Sequence, residues 1–163
     1  MKKIIKKIII LFIPIELYEH AKFEFRSKLG RILSRSLKLN STNANYINLG
    51  SGNSYVNNFI NVDFFGNKMI DYGMDLRFPF KIETNSIDGI FSEHTFEHLS
   101  HLEVDNALSE CCRILKPEAK IRIIVPDLSI LIERYCANDD DWFHNWHDLV
   151  LKDPSRHYMK KYF

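Results

Sequence analysis

Residues 92–102 read SEHTFEHLSHL. From His94 to His98 the spacing is H-x-x-E-H. On one helix face it would set His94 and His98 as zinc ligands, with Glu97 beside them to activate water. At the carboxyl end of a strand the same letters describe a turn that carries side chains out of a sheet. The flanks decide between the two. Upstream, Ser86–Ser92 (SIDGIFS) alternates and then runs apolar, which predicts a buried strand ending at the motif. Downstream, Ser100 and Glu103 form an S-x-x-E capping box, which predicts a helix to about Leu115. His94 thus follows directly on extended chain, and no later helix supplies an obvious third ligand. The zinc spacing is a coincidence, no metal is expected, and His98 and His101 are read as surface or capping residues.

Other strands fall into place on either side. Tyr46–Leu49 (YINL) is a short apolar strand, followed at once by Gly50-Ser51-Gly52. Phe59–Val62 (FINV) is a second strand, with Asp63 at its carboxyl end, and Met69–Gly73 is a third, ending near Asp75-Leu76. After the strand at 86–92 and its helix, Lys116-Pro117 marks the helix stop. Lys120–Val125 (KIRIIV) is a fifth strand, and Asp127 caps a further helix. Apolar strands separated by loops and helices predict an α/β domain with a mostly parallel sheet.

Ligands of such sheets bind beyond the carboxyl ends of the strands, where the strand order reverses. Gly50, Gly52, Asp63, Asp75, Glu93, His94 and Asp127 all fall at that edge. Glycines let the backbone turn sharply and come close to a ligand. A carboxylate ending the second strand can accept both hydroxyls of a ribose. The edge is shaped for a nucleoside.

With 163 residues, 45% hydrophobic and 26% charged, the chain can bury an ordinary core and is not a disordered polymer. Its net charge of +1 hides an asymmetry: residues 1–39 hold ten Lys/Arg against three Asp/Glu, and residues 40–163 hold twelve against eighteen. A basic arm (1–39) is thereby joined to an acidic body. The body leaves no clustered basic face for nucleic acid, so none is expected as a partner. The body divides into a cofactor-binding core (40–137) and an aromatic-rich segment (138–163). Three cysteines, two of them adjacent, make no disulfide framework and suit a reducing, cytoplasmic setting.

The first residues, MKKIIKKIIILFIPIELYEH, combine lysines with the apolar run Ile8–Ile15. That run is far below the roughly 20 residues of a spanning helix, and no small-residue cleavage site follows. Lys2, Lys3, Lys6 and Lys7 could hold the segment against the inner face of a membrane. The plainer reading is a helix packed on the body, continuing to about Lys38, with Asn40–Asn45 as a polar linker.

In ordered sequence the body resembles a class I S-adenosylmethionine-dependent methyltransferase of the bacterial group similar to methyltransferase type 11. The likeness is carried by YINLGSG (46–52), NVD (61–63), DLRFPF (75–80), SIDGIFSEHTFEHL (86–99), RILKP (113–117) and RIIVPDL (122–128). It implies a Rossmann-like sheet and S-adenosyl-L-methionine as cofactor. Gly50, Ser51 and Gly52 would pass under its methionine part, Asp63 would bind the ribose hydroxyls, and Asp75 with Leu76 would lie by the adenine. Ser92, Glu93 and His94 would border the methionine end, facing the substrate. Two departures stand out. Glu118-Ala119 replace the glycines usual after the Lys-Pro turn, and no last antiparallel strand pair is evident before Phe163. The sheet is then a version shortened at the C-terminus, or the chain is a fragment.

Methyl transfer is an in-line displacement that depends mainly on holding a nucleophile aligned in a dry site. For a hydroxyl acceptor, His94 is the best-placed general base, with Glu93 or Asp127 as substitutes and simple positioning as the alternative role. The resemblance implies a small molecule or a surface-polysaccharide sugar as acceptor, against which the aromatic tail could stack. Three other readings stay open: a cofactor-binding but inactive module, a nicotinamide-binding domain, and a zinc protein. The second lacks the full G-x-G-x-x-G.

Overall fold

The computed structural model of the chain describes residues 14–40, 43–66 and 68–143. Helix α1 spans Ile15–Leu33, followed by β1 (Tyr46–Leu49), β2 (Ile60–Asp63), β3 (Tyr72–Gly73) and β4 (Ile87–Glu93). A 3-10 turn at Phe96–His98 leads to helix α2 (His101–Ile114), β5 (Leu115–Ile124) and helix α3 (Leu128–Cys136). The strands form one sheet in the order β3-β2-β1-β4-β5, and every neighbouring pair is parallel. The order reverses at β1, giving a Rossmann-like α/β fold with its switch point between β1 and β4.

The strands are short because only their apolar cores are needed. Ile47, Leu49, Val62, Ile87 and Ile90 are all at most 1% exposed, as expected for strands covered on both faces. From α2, Ala107, Cys111 and Ile114 point into the same core, spaced four and three apart to make one helical stripe. Burial pushes the Cys111 thiol up to about 12, so this cysteine serves as an apolar core group. Ser100 and Glu103 close the capping box that starts α2.

Several boundaries move. The first helix stops at Leu33 rather than near Lys38, because Ser34 turns extended and Lys81 Nζ seals the helix end by donating to the carbonyls of Arg31 (2.6 Å) and Ser34 (2.8 Å). The third strand shrinks to Tyr72–Gly73. The fifth grows backwards to Leu115, which is at once the cap of α2 and the first strand residue. Lys116–Ala119, read as a stop between elements, is a bulge within β5: Ile87 pairs with Leu115, but Gly89 already pairs with Lys120. Glu118 sits there at φ 65°, in the left-handed region that glycine would occupy without strain.

Helix α1 lies on the body through specific contacts. Phe23 stacks on Phe64 with ring centroids 4.3 Å apart. The Phe65 ring occupies the space left by two glycines: a Cβ on Gly30 would lie 2.2 Å from it, and one on Gly73 2.8 Å. Arg26 donates to the Phe65 carbonyl, and the Arg31 guanidinium covers the Phe78 ring at 3.5 Å. The lysines at 2, 3, 6 and 7 lie outside the described residues, as do Trp146, Tyr158 and Phe163. Trp142 and Phe143 are described and meet edge to face at 5.1 Å. None of the described helices is long and apolar enough to cross a membrane.

Candidate active site

A cavity of about 470 Å³ opens at the carboxyl edge of the sheet, within the usual size range of small-molecule sites. Its walls come from the turn after β1 (Gly50, Gly52), the end of β2 (Asp63, Phe64), the segment after β3 (Met74–Arg77) and the turn after β4 (His94, Thr95). Phe23 of α1 and Glu103 of α2 close it.

The glycine turn is tied down on all sides. Gly50 N and Ser51 N both donate to the Val62 carbonyl, at 2.8 and 3.0 Å, which straps β1 to β2 at the crevice. Gly50 has φ 73°, and a Cβ there would lie 2.0 Å from Thr95 Oγ1, so only glycine lets this turn pass the one after β4. Gly52, at φ 53°, has open space where a Cβ would go. Its amide donates to Asp63 Oδ2 at 2.5 Å, and Phe64 N donates to Oδ1 at 2.5 Å. Two amides thus fix the Asp63 carboxylate, while each oxygen retains a second acceptor position. Ser51 is 5% exposed, and its hydroxyl has no partner among the described residues.

Asp75 is placed at the cavity but works differently from the sequence expectation. Its Oδ1 accepts from Arg77 N (3.1 Å) and Nε (3.0 Å), and its Oδ2 from Arg77 Nη2 (2.7 Å) and Ser27 Oγ (2.5 Å). All four acceptor positions are filled, leaving none for an adenine amine. Burial alone would push the Asp75 carboxyl up, but the Arg77 and Ser27 hydrogen bonds outweigh it and hold it below the carboxylate range. Arg77 also reaches Glu24 of α1 at 2.6 Å, and the Asp75 bond chiefly raises its own pKa. Leu76 does line the cavity, in an apolar slot with Phe23, Phe64 and Met74.

Ser92 and Glu93 do not line the cavity. Ser92 is fully buried in the sheet and donates to the Leu49 carbonyl of β1 at 2.9 Å. Glu93 is the last strand residue, its carbonyl accepting from Thr95 Oγ1 at 3.1 Å. His94 does line the cavity. It adopts φ 50°, its amide donates to the Ile124 carbonyl at 3.0 Å, and its Nδ1 is 3.1 Å from Glu97 Oε1. His98, expected at the surface, is exposed but borders the same rim. Asp127 accepts from Ser129 N as a helix cap and is not at the cavity.

The H-x-x-E-H stretch is therefore divided between a left-handed turn residue and a 3-10 turn, not laid on one helix face. Among the described residues, no three His, Cys, Asp or Glu side chains converge as a metal-holding group. The charged side chains on the wall include Asp63, Asp75 and Glu103, against Arg77, whose charge Asp75 and Glu24 already share.

The wall residues that the sequence does not point to include Phe23, Phe64, Met74, Arg77, Thr95 and Glu103. Glu103 had a signal, since the capping box located it, but the box says nothing about the groove beside the helix start. Arg77 lay inside a motif already singled out, two residues past Asp75.

Compared with known proteins, residues 66–123 match the family model of a methyltransferase domain. The match covers rather more than a third of the chain. It takes in β3, β4, α2 and most of β5, and begins after the glycine turn and Asp63. No curated protein matches the chain. Five parallel strands in this order and a crevice at their switch point fit the Rossmann-like fold of class I methyltransferases, and over residues 66–123 the chain is similar to the methyltransferase domain family.

Proposed function

We propose that the protein transfers the methyl group of S-adenosylmethionine to a hydroxyl of a small-molecule or saccharide acceptor. The observation that carries this reading is the pairing of Asp63 with the glycine turn at the switch point. Asp63 is held by Gly52 N and Phe64 N, with one acceptor position left on each oxygen. That suits two vicinal hydroxyls of a ribose. The slot of Phe23, Phe64, Met74 and Leu76 suits a flat base, and Asp75 stiffens it rather than reading the base's edge.

The charge of the wall supports a cationic nucleoside over a dinucleotide. Gly50 N and Ser51 N are taken by Val62, and Gly52 N by Asp63. A pyrophosphate would find these amides already engaged, and no helix starts at this turn to favour it, since residues 50–59 run as turns and bends. Asp63 and Glu103 would repel it. The same carboxylates favour a sulfonium, which when bound supplies an activated methyl carbon open to in-line displacement.

The protein's own part is placement and proton handling. The strapped turns at Gly50 and Thr95 fix the two walls, and the aromatic pair Phe23–Phe64 excludes water from one side. His94, at the rim by the turn after β4, is the group placed to take a proton from an acceptor hydroxyl. The acceptor side carries His94, His98 and Leu99, a mixed surface that fits a neutral polyhydroxyl compound. Cys111, Cys112 and Cys136 are all free thiols, in keeping with reaction in the cytoplasm. The basic first residues would hold the enzyme near the membrane's inner face.

Thermal unfolding with S-adenosylhomocysteine, against NAD as control, tests the cofactor. At a hundredfold excess over Kd the homocysteine compound should add about 2.7 kcal/mol, NAD nothing, and Asp63→Ala should abolish the gain. Stabilisation by NAD alone would overturn the reading. Transfer of label from S-adenosylmethionine to a panel of sugars and phenols then tests the acceptor. Binding without transfer to any of them would leave a cofactor-binding module in place of the enzyme.

A further inference from the structure

Glu97 stands outside the cavity wall, yet its carboxylate is 3.1 Å from Nδ1 of His94. We propose that Glu97 is the positioning residue of His94. Its carboxylate takes the Nδ1 proton and so fixes the tautomer that leaves Nε2 unprotonated for the acceptor end of the cavity. What Nε2 then does rests on the methyl-transfer reading; the pairing does not.

The chemistry of the two groups sets the direction. An ionised carboxylate only accepts, so a neutral imidazole bonded to it through Nδ1 must carry its proton there, and Nε2 is then the acceptor. Nε2 has no partner among the described residues. The two side chains are 30% and 24% exposed, so the pair is neither sealed from solvent nor free in it.

The backbone is arranged to bring the pair together. His94 takes a left-handed φ of 50°, a conformation that costs an L-residue about 1–2 kcal/mol. It is held by its own amide on Ile124 O (3.0 Å) and by Thr95 Oγ1 on Glu93 O (3.1 Å) and Leu49 O (3.3 Å). The chain reverses there, and the 3-10 turn, anchored by Phe96 at 6% exposure, brings Glu97 back alongside the ring. His98 has no carboxylate at its ring among the described residues, so of the two rim imidazoles only His94 is oriented. In the reaction, Nε2 takes the hydroxyl proton as the acceptor oxygen gains the methyl group and the S–C bonding pair leaves on sulfur. The site ends with an imidazolium beside the Glu97 carboxylate.

Long-range 1H–15N spectra of the ligand-free full chain at about pH 8.5, where imidazole is neutral, read the tautomer directly. His94 should show a protonated Nδ1 and a bare Nε2. Glu97→Gln, which keeps an acceptor oxygen, should retain that pattern. Glu97→Ala should lose it, the ring passing to the Nε2–H form with the sheet amides unmoved. An Nε2–H ring in the wild type, or no change in Glu97→Ala, overturns the proposal. S-adenosylhomocysteine is then added to the same samples. If the Gly52 and Phe64 amides do not respond while the tautomer behaves as stated, the methyl-transfer reading fails and the pair stands. If they respond but Glu97→Ala keeps its tautomer, the reading stands and the pair fails. On an acceptor found in the panel, Glu97→Ala should lower kcat roughly 100-fold with the donor's KM unchanged.

Discussion

The two halves of the crevice are built differently. Under β2 and β3, nearly every polar atom is committed: Asp63 to two amides, Asp75 to Ser27 and Arg77, Arg77 onward to Glu24. Under β4 and β5, the wall is a strained histidine, a short 3-10 turn and the start of helix α2. One half is rigid, its polar groups paired around the apolar slot, and the other is more open and sparsely bonded. On the proposed methyl-transfer reading, a site that receives the same cofactor every turnover and a distinct acceptor has reason to be rigid on one side only.

The contrast can be broken most severely at Arg77. Arg77→Met leaves Asp75, 4% exposed, as an uncompensated buried charge, and should cost about 3–5 kcal/mol in urea unfolding at neutral pH. The pH dependence follows from the sign. Because the folded pKa of Asp75 lies below its ordinary value of 3.8, its contribution is present above that pH and is lost as pH falls through the lower folded value. The gap between wild type and variant should therefore be widest at neutral pH and close in acid.

Next in size is Gly30→Ala. In an exposed helix this change would gain about 1 kcal/mol. Here the new methyl meets the Phe65 ring, so a net loss of about 1–3 kcal/mol is expected by the same unfolding measurement. Adding Phe65→Ala should remove the clash and cut the penalty of the glycine change.

Two glycines within the crevice separate stability from binding. Gly50→Ala combines left-handed strain with a clash on Thr95, and should lose about 2 kcal/mol of stability. Gly52→Ala has strain but open space, so its loss should be nearer 1 kcal/mol, with the larger effect on S-adenosylhomocysteine affinity by calorimetry. Equal stability losses would mean that the two turn positions are not distinct. The smallest effect lies farthest from the crevice. Glu118→Gly relieves φ 65° in the β5 bulge and should raise stability by up to about 1 kcal/mol.

The open half was the more legible in sequence, and the rigid half the less. The apolar run at 86–92, the capping box at Ser100 and Glu103, and Asp127 as a cap each depend on neighbours a few positions away, and each led to an element close to where it lies. Local patterning also led to the turn at Gly50 and the strand-ending Asp63. What it could not give was the partner of a side chain about fifty positions off. Ser27 and Asp75 are 48 apart and Glu24 and Arg77 53 apart, and no periodicity in either segment says that they meet. Asp75 was accordingly read as a ligand contact when its oxygens are spent inside the protein. Ser92 differs for the opposite reason: it is adjacent to the motif in sequence, but it still lies within a strand buried on both faces, with its hydroxyl spent on the Leu49 carbonyl. The bulge at 116–119 stayed hidden because Lys-Pro followed by a left-handed residue reads as a loop wherever it stands.

The clasp formed by Arg77 between Glu24 and Asp75 has a consequence for biosynthesis. Helix α1 leaves the ribosome well before the residues that hold it, since Phe65, Asp75 and Arg77 follow some 40 to 50 positions later. During that interval Phe23 lacks the Phe64 ring on which it stacks, and a nascent chain carrying it is open to chaperone capture. The crevice at the sheet edge is thus closed on one side by a segment made well before the strands that frame it.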